Sequence, residues 1–190
     1  MCIERYGLRA QRGLTLIELV VFIVVISVGL AGILGVLSLV NRDTVNPMLL
    51  KQQVAIAESL LEEVQSKPFT FCDPDDANVE TATNPAGCAS LQQGLIPAAG
   101  ESRYDPASPF DNVGDYNGFA MAGIRLPTDA TILVSGLEAY SARVAIIQAG
   151  TAMGLAENGD ALRIDVTVGA PSMPDLTLTG YRFRYAPNSP

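Results

Sequence analysis

Residues 19–41 read LVVFIVVISVGLAGILGVLSLVN, 23 positions without a charge between Glu18 and Arg42. As a helix this run is roughly 35 Å long, enough to cross the hydrocarbon core of a bilayer. A buried core helix rarely runs this far without a polar face, so the stretch reads as a membrane-spanning segment. Arg5, Arg9 and Arg12 stand before it against Glu4, whereas Arg42 and Asp43 cancel behind it. The positive-inside rule then leaves the N-terminus in the cytoplasm and exports residues 43–190. A cleavable secretory signal fits poorly, because its apolar core is about 7–15 residues long and closes on a small-residue cleavage site. A plain signal anchor accounts for everything except Glu18, an acid inside the apolar stretch that is costly in lipid without a partner.

Composition narrows the function classes further. The chain has 190 residues, 48% hydrophobic and 17% charged, with 12 Lys+Arg against 20 Asp+Glu and a net charge of −8. That length suits one domain plus an appendage. The acidic balance argues against a nucleic-acid partner, since phosphate binding needs clustered Lys and Arg. The absence of histidine excludes Ser-His-Asp triads, His-ligated zinc and haem with a His axial ligand. No cofactor is expected.

The residues around the acid are Arg12-Gly13-Leu14-Thr15-Leu16-Ile17-Glu18-Leu19. A short basic leader ending in Gly, followed by an apolar stretch with Glu at its fifth position, resembles the class III signal of type IV prepilins. The resemblance implies that a membrane-embedded prepilin peptidase cuts between Gly13 and Leu14 on the cytoplasmic side and that Leu14 is then N-methylated. The first mature residue of this family is often Phe, so Leu14 is a departure. Cleavage would create an α-ammonium at Leu14. When mature chains stack by their apolar helices, the Glu18 carboxylate of one can meet the ammonium of its neighbour. Breaking such a buried pair by removing one partner costs about 3–5 kcal/mol, so the pair also sets the axial stagger. The competing reading is a Glu that only snorkels to the interface.

Cys2 lies in the leader, which leaves Cys72 and Cys88 in the mature chain. In an oxidising compartment an even pair reads as a disulfide, and a loop of this size is stabilised by about 3 kcal/mol in the chain-entropy model. Two free thiols or a metal pair are the rival readings, and without His or further Cys a metal pair is disfavoured.

Gly29, Gly32 and Gly35 recur every three residues, a spacing that lets helices approach closely and weakens the local ladder. This stretch is expected to loosen when the subunit leaves lipid for a filament, with simple helix packing as the alternative. Past the membrane, the first helix of the family usually continues through a proline such as Pro47 with a bend. Leu50, Val54, Ala57, Leu61 and Val64 then form one helical face, with Lys51, Gln52, Glu58, Glu62 and Gln65 elsewhere on the wheel, and Lys67-Pro68 ends the helix.

Residues 69–130 lack sustained periodicity and carry nine acids against Arg103 and Arg125. Asp111, Asp115 and Asn117 are hard oxygen donors of the kind that bind Ca²⁺, but their spacing does not fit an EF-hand, so they read as solvated turns and no metal site is assigned. Thr131–Ser135, Glu138–Gln148, Ala161–Val168 and Leu176–Tyr185 read as strands of an antiparallel meander. Leu162, Ile164, Val166 and Val168 alternate with Arg163, Asp165 and Thr167. Tyr181, Phe183 and Tyr185 are expected as sheet core or cross-strand partners.

The expected fold is α+β, the type IV pilin fold, with a long N-terminal helix packed on an antiparallel β-sheet. Its expected divisions are a leader over 1–13, a transmembrane and filament-core helix over 14–42, and a globular domain over 43–190. The TFCDPDDAN (70–78) and FDNVGDYNGF (110–119) stretches and the LTGYRFRY end (178–185) resemble minor pilins of the mannose-sensitive haemagglutinin (MSHA) type. This implies a structural subunit in pilus assembly or surface adhesion, stored in the inner membrane and then extracellular. Its partners would be other pilin subunits, the peptidase and the inner-membrane assembly machinery. Removing Arg5, Arg9, Arg12 and Glu4 leaves 9 basic against 19 acidic residues, a charge of −10 that disfavours lateral contacts between identical copies. A type II secretion pseudopilin shares the processing signal. A membrane-anchored periplasmic enzyme or binding protein, using paired carboxylates of the acidic loop, is the alternative from another class.

Overall fold

The computed structural model describes residues 15–42 and 47–190. The described residues separate into two compact units, 15–42 and 47–190. The first contains α1 (Leu16–Arg42), an unbroken helix through Gly29, Gly32 and Gly35. The expected passage of a single helix through a bend before Pro47 falls on residues 43–46, outside those described.

The second unit begins with α2 (Pro47–Ser66), followed by β1 (Ala120–Ala122), β2 (Arg125–Leu126), β3 (Asp129–Leu133), β4 (Ser141–Gln148), β5 (Ala161–Gly169) and β6 (Leu176–Phe183). Proline at the first position suits α2, because that N–H has no intrahelical partner anyway. β1-β4-β5-β6 form an antiparallel sheet in that order, and β2-β3 pair separately. The central register sets Val144 opposite Val166 and Ile146 opposite Ile164, and Val166 opposite Leu178 across the next pair. Strand alternation therefore collects Ala142, Val144 and Ile146 with Ile164, Val166 and Val168 in one core, closed by Ile56, Leu60 and Val64 of α2. A fully buried aliphatic side chain of this kind is worth about 1.5–3 kcal/mol, so this layer dominates the packing of the domain.

The structure is thus an apolar N-terminal helix with an antiparallel sheet, an α+β arrangement consistent with the type IV pilin fold. Differences from the sequence reading have physical causes. The buried stripe of α2 is Gln53, Ile56, Ala57, Leu60 and Val64, turned by about 60° from the apolar face expected. Gln53 is drawn inside because its Nε2 donates to the carbonyls of Val168 and Pro174 at 3.1 Å, while Leu50 is left exposed. The first two strands of the last third begin elsewhere than expected, at Asp129 and Ser141, and β1 and β2 are too short to show a period. Of the two places expected for the aromatics, Tyr181 and Phe183 take the second, as cross-strand partners of Arg163 and Ala161, and with Tyr185 they are exposed and not in the core.

Residues 67–119 wrap the flank of α2 and the sheet. Phe110, Tyr116 and Phe119 pack edge to face with ring centroids 5.1–6.3 Å apart. One contact there is intolerant of any side chain. A Cβ on Gly114 would lie 2.2 Å from the carbonyl oxygen of Gly94, a backbone atom with no rotamer to move. Gly114→Ala is expected to lower the unfolding free energy by about 1–3 kcal/mol, the usual range for overpacking. Urea titration checks this, with Gly100→Ala as a comparison at a position with open space but positive φ.

Candidate functional site

The helix that carries the sequence motif starts immediately inside it. The Thr15 carbonyl accepts from Leu19 N–H at 3.1 Å, and the Thr15 hydroxyl oxygen accepts from Glu18 N–H at 3.3 Å. Thr15 is therefore the N-cap of α1 and Glu18 stands at its third position, in the first turn. A T-x-x-E spacing ahead of an apolar run is the sequence form of a capping box, and it accounts for the helix beginning here. The carboxylate also faces the positive end of the helix dipole, an interaction worth about 0.3–1 kcal/mol. Sequence reasoning treated Glu18 only as a charge in lipid and missed this local role, although the spacing was visible. Gly13 and Leu14 lie outside the described residues.

Leu16–Val36 has a mean hydropathy of 2.9 and is long and apolar enough to cross a membrane, with none of it buried within the chain. Glu18 is exposed with it. A Cβ added at Gly29, Gly32 or Gly35 would meet nothing within 4 Å. The side chains of Leu16–Val36 are exposed, and water is a costly environment for an apolar surface of that length.

In the globular unit, Cys72 and Cys88 form the expected disulfide. The loop it closes carries a small core of Val79 and Ala82 beside Phe71. Asp76 organises that loop: its carboxylate accepts from the backbone N–H groups of Asn78, Ala89, Ser90 and Leu91 at 2.7–2.9 Å. The Leu91 N–H foremost, and the others with it, hold the Asp76 carboxyl well below the usual range. Asn188 reaches back to the carbonyls of Val79 and Ala82, tying the C-terminal segment to the loop.

A second network fixes α2 to the following segment. Glu63 accepts from Arg103 Nε and Nη2 at 2.8 and 2.6 Å and from the Tyr116 hydroxyl at 2.8 Å. Arg103 is almost buried and lies 5.4–5.5 Å from the ring centres of Tyr104 and Phe119. Burial raises the Glu63 carboxyl, but the Arg103 and Tyr116 hydrogen bonds and the Arg103 charge outweigh it, and the net shift is downward.

The turn at 111–117 differs from the solvated loop expected of it. Asn112 and Asp115 are buried. The Asp115 carboxylate accepts from Asn112 N–H at 2.6 Å and Gln93 Nε2 at 2.7 Å, and Asn112 Nδ2 donates to the Thr70 hydroxyl at 2.7 Å. Asn117 accepts from Ile146 N–H and donates to the Leu95 carbonyl. These polar groups hold the loop to the sheet, so Asp111, Asp115 and Asn117 do not form one ligand set. Asp111 instead meets Asp73, Asp75 and Glu101, with one carboxylate oxygen of each within 4.8 Å of the others. Only the Asp73-x-Asp75 pair was legible as a unit, because Glu101 and Asp111 reach it through tertiary folding. Burial, then the neighbouring acids, push Asp111 up to about 6. The same causes push Glu101 up to about 7, although the Ala98 N–H opposes them.

These shifts set opposite pH limbs. Glu101 and Asp111 bind protons more tightly when folded, so their contribution is full at about pH 4 and is lost as pH rises towards about 7. Glu63 and Asp76 are lowered, so their contribution is present at neutral pH and is lost as pH falls below about 4. The protein is expected to be most stable near about pH 5. Urea midpoints at pH 3, 5 and 7 check this; a midpoint still climbing from 5 to 7 would contradict it.

No curated protein and no solved structure gives a significant match to the chain. Residues 8–34 match the family model described as the prokaryotic N-terminal methylation motif, a match that spans the expected cleavage point, Glu18 and most of the apolar rod and supports a prepilin-type, type IV pilin-like protein.

Proposed function

We propose that this chain is a minor type IV pilin of the MSHA type. It is cut between Gly13 and Leu14 by prepilin peptidase, N-methylated on Leu14, and held in the inner membrane by residues 14–42 with residues 43–190 outside. Assembly draws the apolar helix out of lipid into a bundle of neighbouring subunits. The observation that carries this reading is the unburied apolar helix beginning one residue after the capping Thr15, with Glu18 in its first turn. Cleavage places the new α-ammonium beside the positive end of the helix dipole, where a cation is unfavourable, and a neighbour's Glu18 relieves it. The surface left after removal of the leader has a charge of −10, which suits a low-copy subunit among others in a pilus that assembles or adheres. Such a subunit is structural and not catalytic.

The test is recovery of the tagged chain from sheared surface filaments against the membrane fraction. A minor pilin appears in the filaments at a few copies per many major subunits. A chain confined to the envelope beside a secretion complex would instead be a type II pseudopilin. A chain that joins no assembly at all would overturn both readings and favour an anchored enzyme or binding protein.

A further inference from the structure

Arg103 and Arg125 are the two basic residues of the acid-rich stretch 69–130, and both line one cavity of about 300 Å³. Glu63 is the one acid in its lining, so the charged groups gathered there are net positive in a chain of net charge −8. Ala55, Ser59 and Glu63 of α2 follow one another by four residues along the cavity, a stripe about 12 Å long. Ile56, Leu60, Met121, Ile124 and Leu137 make most of the remaining lining apolar. The Arg103 side chain is 6% exposed. Glu63 takes its Nε and Nη2, while Nη1 is buried with no hydrogen-bond partner. A guanidinium carries five N–H donors in a fixed fork, so the two on Nη1 lie off the edge that holds Glu63. Arg125 donates to the carbonyls of Ala122 and Ala130 and forms no ion pair among the described residues, which leaves its charge uncancelled. Buried donors are ordinarily paired, and apolar walls with a few placed polar groups are the usual form of a small-ligand site.

We infer that this cavity binds a small aliphatic carboxylate, its tail along the stripe of α2 and its head on Arg103 Nη1 in the field of Arg125. Each part of the ligand follows from a part of the lining. A tail without an acceptor would leave Nη1 unpartnered and cover the Arg125 charge with hydrocarbon, which is costly. A cationic head would meet a net positive lining, and a wholly polar ligand would gain nothing from the apolar walls. The planar carboxylate matches the planar guanidinium and makes charge-assisted hydrogen bonds to it. Glu63 and the ligand would use different edges of Arg103, so the Glu63 pair and its Tyr116 bond stay in place. At about 30 Å³ for each water-sized group, the cavity admits about ten non-hydrogen atoms, the size of an eight-carbon acid. This inference does not depend on the pilin reading.

The full chain in a neutral detergent is titrated with sodium octanoate by calorimetry, and the heat of mixing into protein-free micelles is subtracted. We expect one saturable site with a Kd of about 10⁻⁴–10⁻³ M, in keeping with a ligand of about ten non-hydrogen atoms. Acetate, the head without the tail, and octan-1-ol, the tail without the charge, should each bind at least about tenfold more weakly. Arg125→Gln is expected to weaken octanoate by about tenfold, because it removes the uncancelled charge. Ala55 is exposed on α2, so Ala55→Trp fills the cavity without disturbing the core and should abolish binding. That second variant keeps the test decisive where the first disturbs the β2–β3 hairpin. Absence of saturable octanoate binding would overturn the site. So would an equal response to acetate, which is general screening, or equal affinity for octan-1-ol, which is apolar partition alone. Octanoate binding undiminished in either variant would place the ligand elsewhere and overturn it as well.

Discussion

Glu18→Ala is expected to remove the subunit from filaments while leaving the globular unit folded. The two roles available to this carboxylate differ in size. Its interaction with the dipole of α1 is worth about 0.3–1 kcal/mol, which frays one turn of a 27-residue helix and little more. Its pairing with a neighbour's Leu14 ammonium, buried among apolar helices, is worth about 3–5 kcal/mol when one partner is removed. At 1.4 kcal/mol per tenfold, the second loss lowers incorporation by about 10²-fold to 4 × 10³-fold, whereas the first is within a factor of about 5. Glu18→Gln separates them further, because it removes the charge with little change in side-chain size. Counting tagged subunits in sheared filaments, with export and disulfide formation as controls, reads the outcome directly. Incorporation within a factor of about 5 of wild type would reduce Glu18 to a capping residue.

Glu63→Ala is expected to lower the unfolding free energy of the globular unit by about 3–5 kcal/mol. It strips three hydrogen bonds at once and leaves Arg103 charged and almost buried, with its Nη1 already unpartnered. The Tyr116 hydroxyl loses its acceptor in the same step. Because Glu63 itself keeps about a quarter of its side chain exposed, the lower end of that range is the better expectation. Arg103→Met, which retains the alkyl packing against Tyr104 and Phe119 without the charge, should cost less, and the double variant less than the sum of both. A urea-denaturation double-mutant cycle measures this coupling, and full additivity would contradict it.

How much of this was readable before the fold was known depended on whether the signal was local. The apolar run at 19–41 and the alternation of Leu162, Ile164, Val166 and Val168 are local periodicities, and both reappear as α1 and the buried face of β5. The Cys72–Cys88 bond was legible from cysteine count and compartment. The T-x-x-E cap was equally local but was hidden behind the charge argument for the same residue. Gln53 was misplaced because a polar side chain enters the core only when distant carbonyls, here Val168 and Pro174, offer it acceptors. The acidic cluster was out of reach for the same reason. Asp73 and Asp111 lie 38 positions apart and are brought together by bonds of Asp115, Asn112 and the Leu91 carbonyl that carry no periodicity. Asp115, read as part of a solvated turn, is a buried structural acceptor, and Glu101, for which the sequence carried no signal, faces the cluster.

The measurement that bears most directly on the central claim is the intact mass and N-terminal sequence of the chain recovered from membranes of cells containing prepilin peptidase. The account predicts a chain beginning at N-methyl-Leu14 and two hydrogens lighter for the Cys72–Cys88 bond. A chain still beginning at Met1 would contradict it, leaving Glu18 as a first-turn acid of an ordinary membrane anchor.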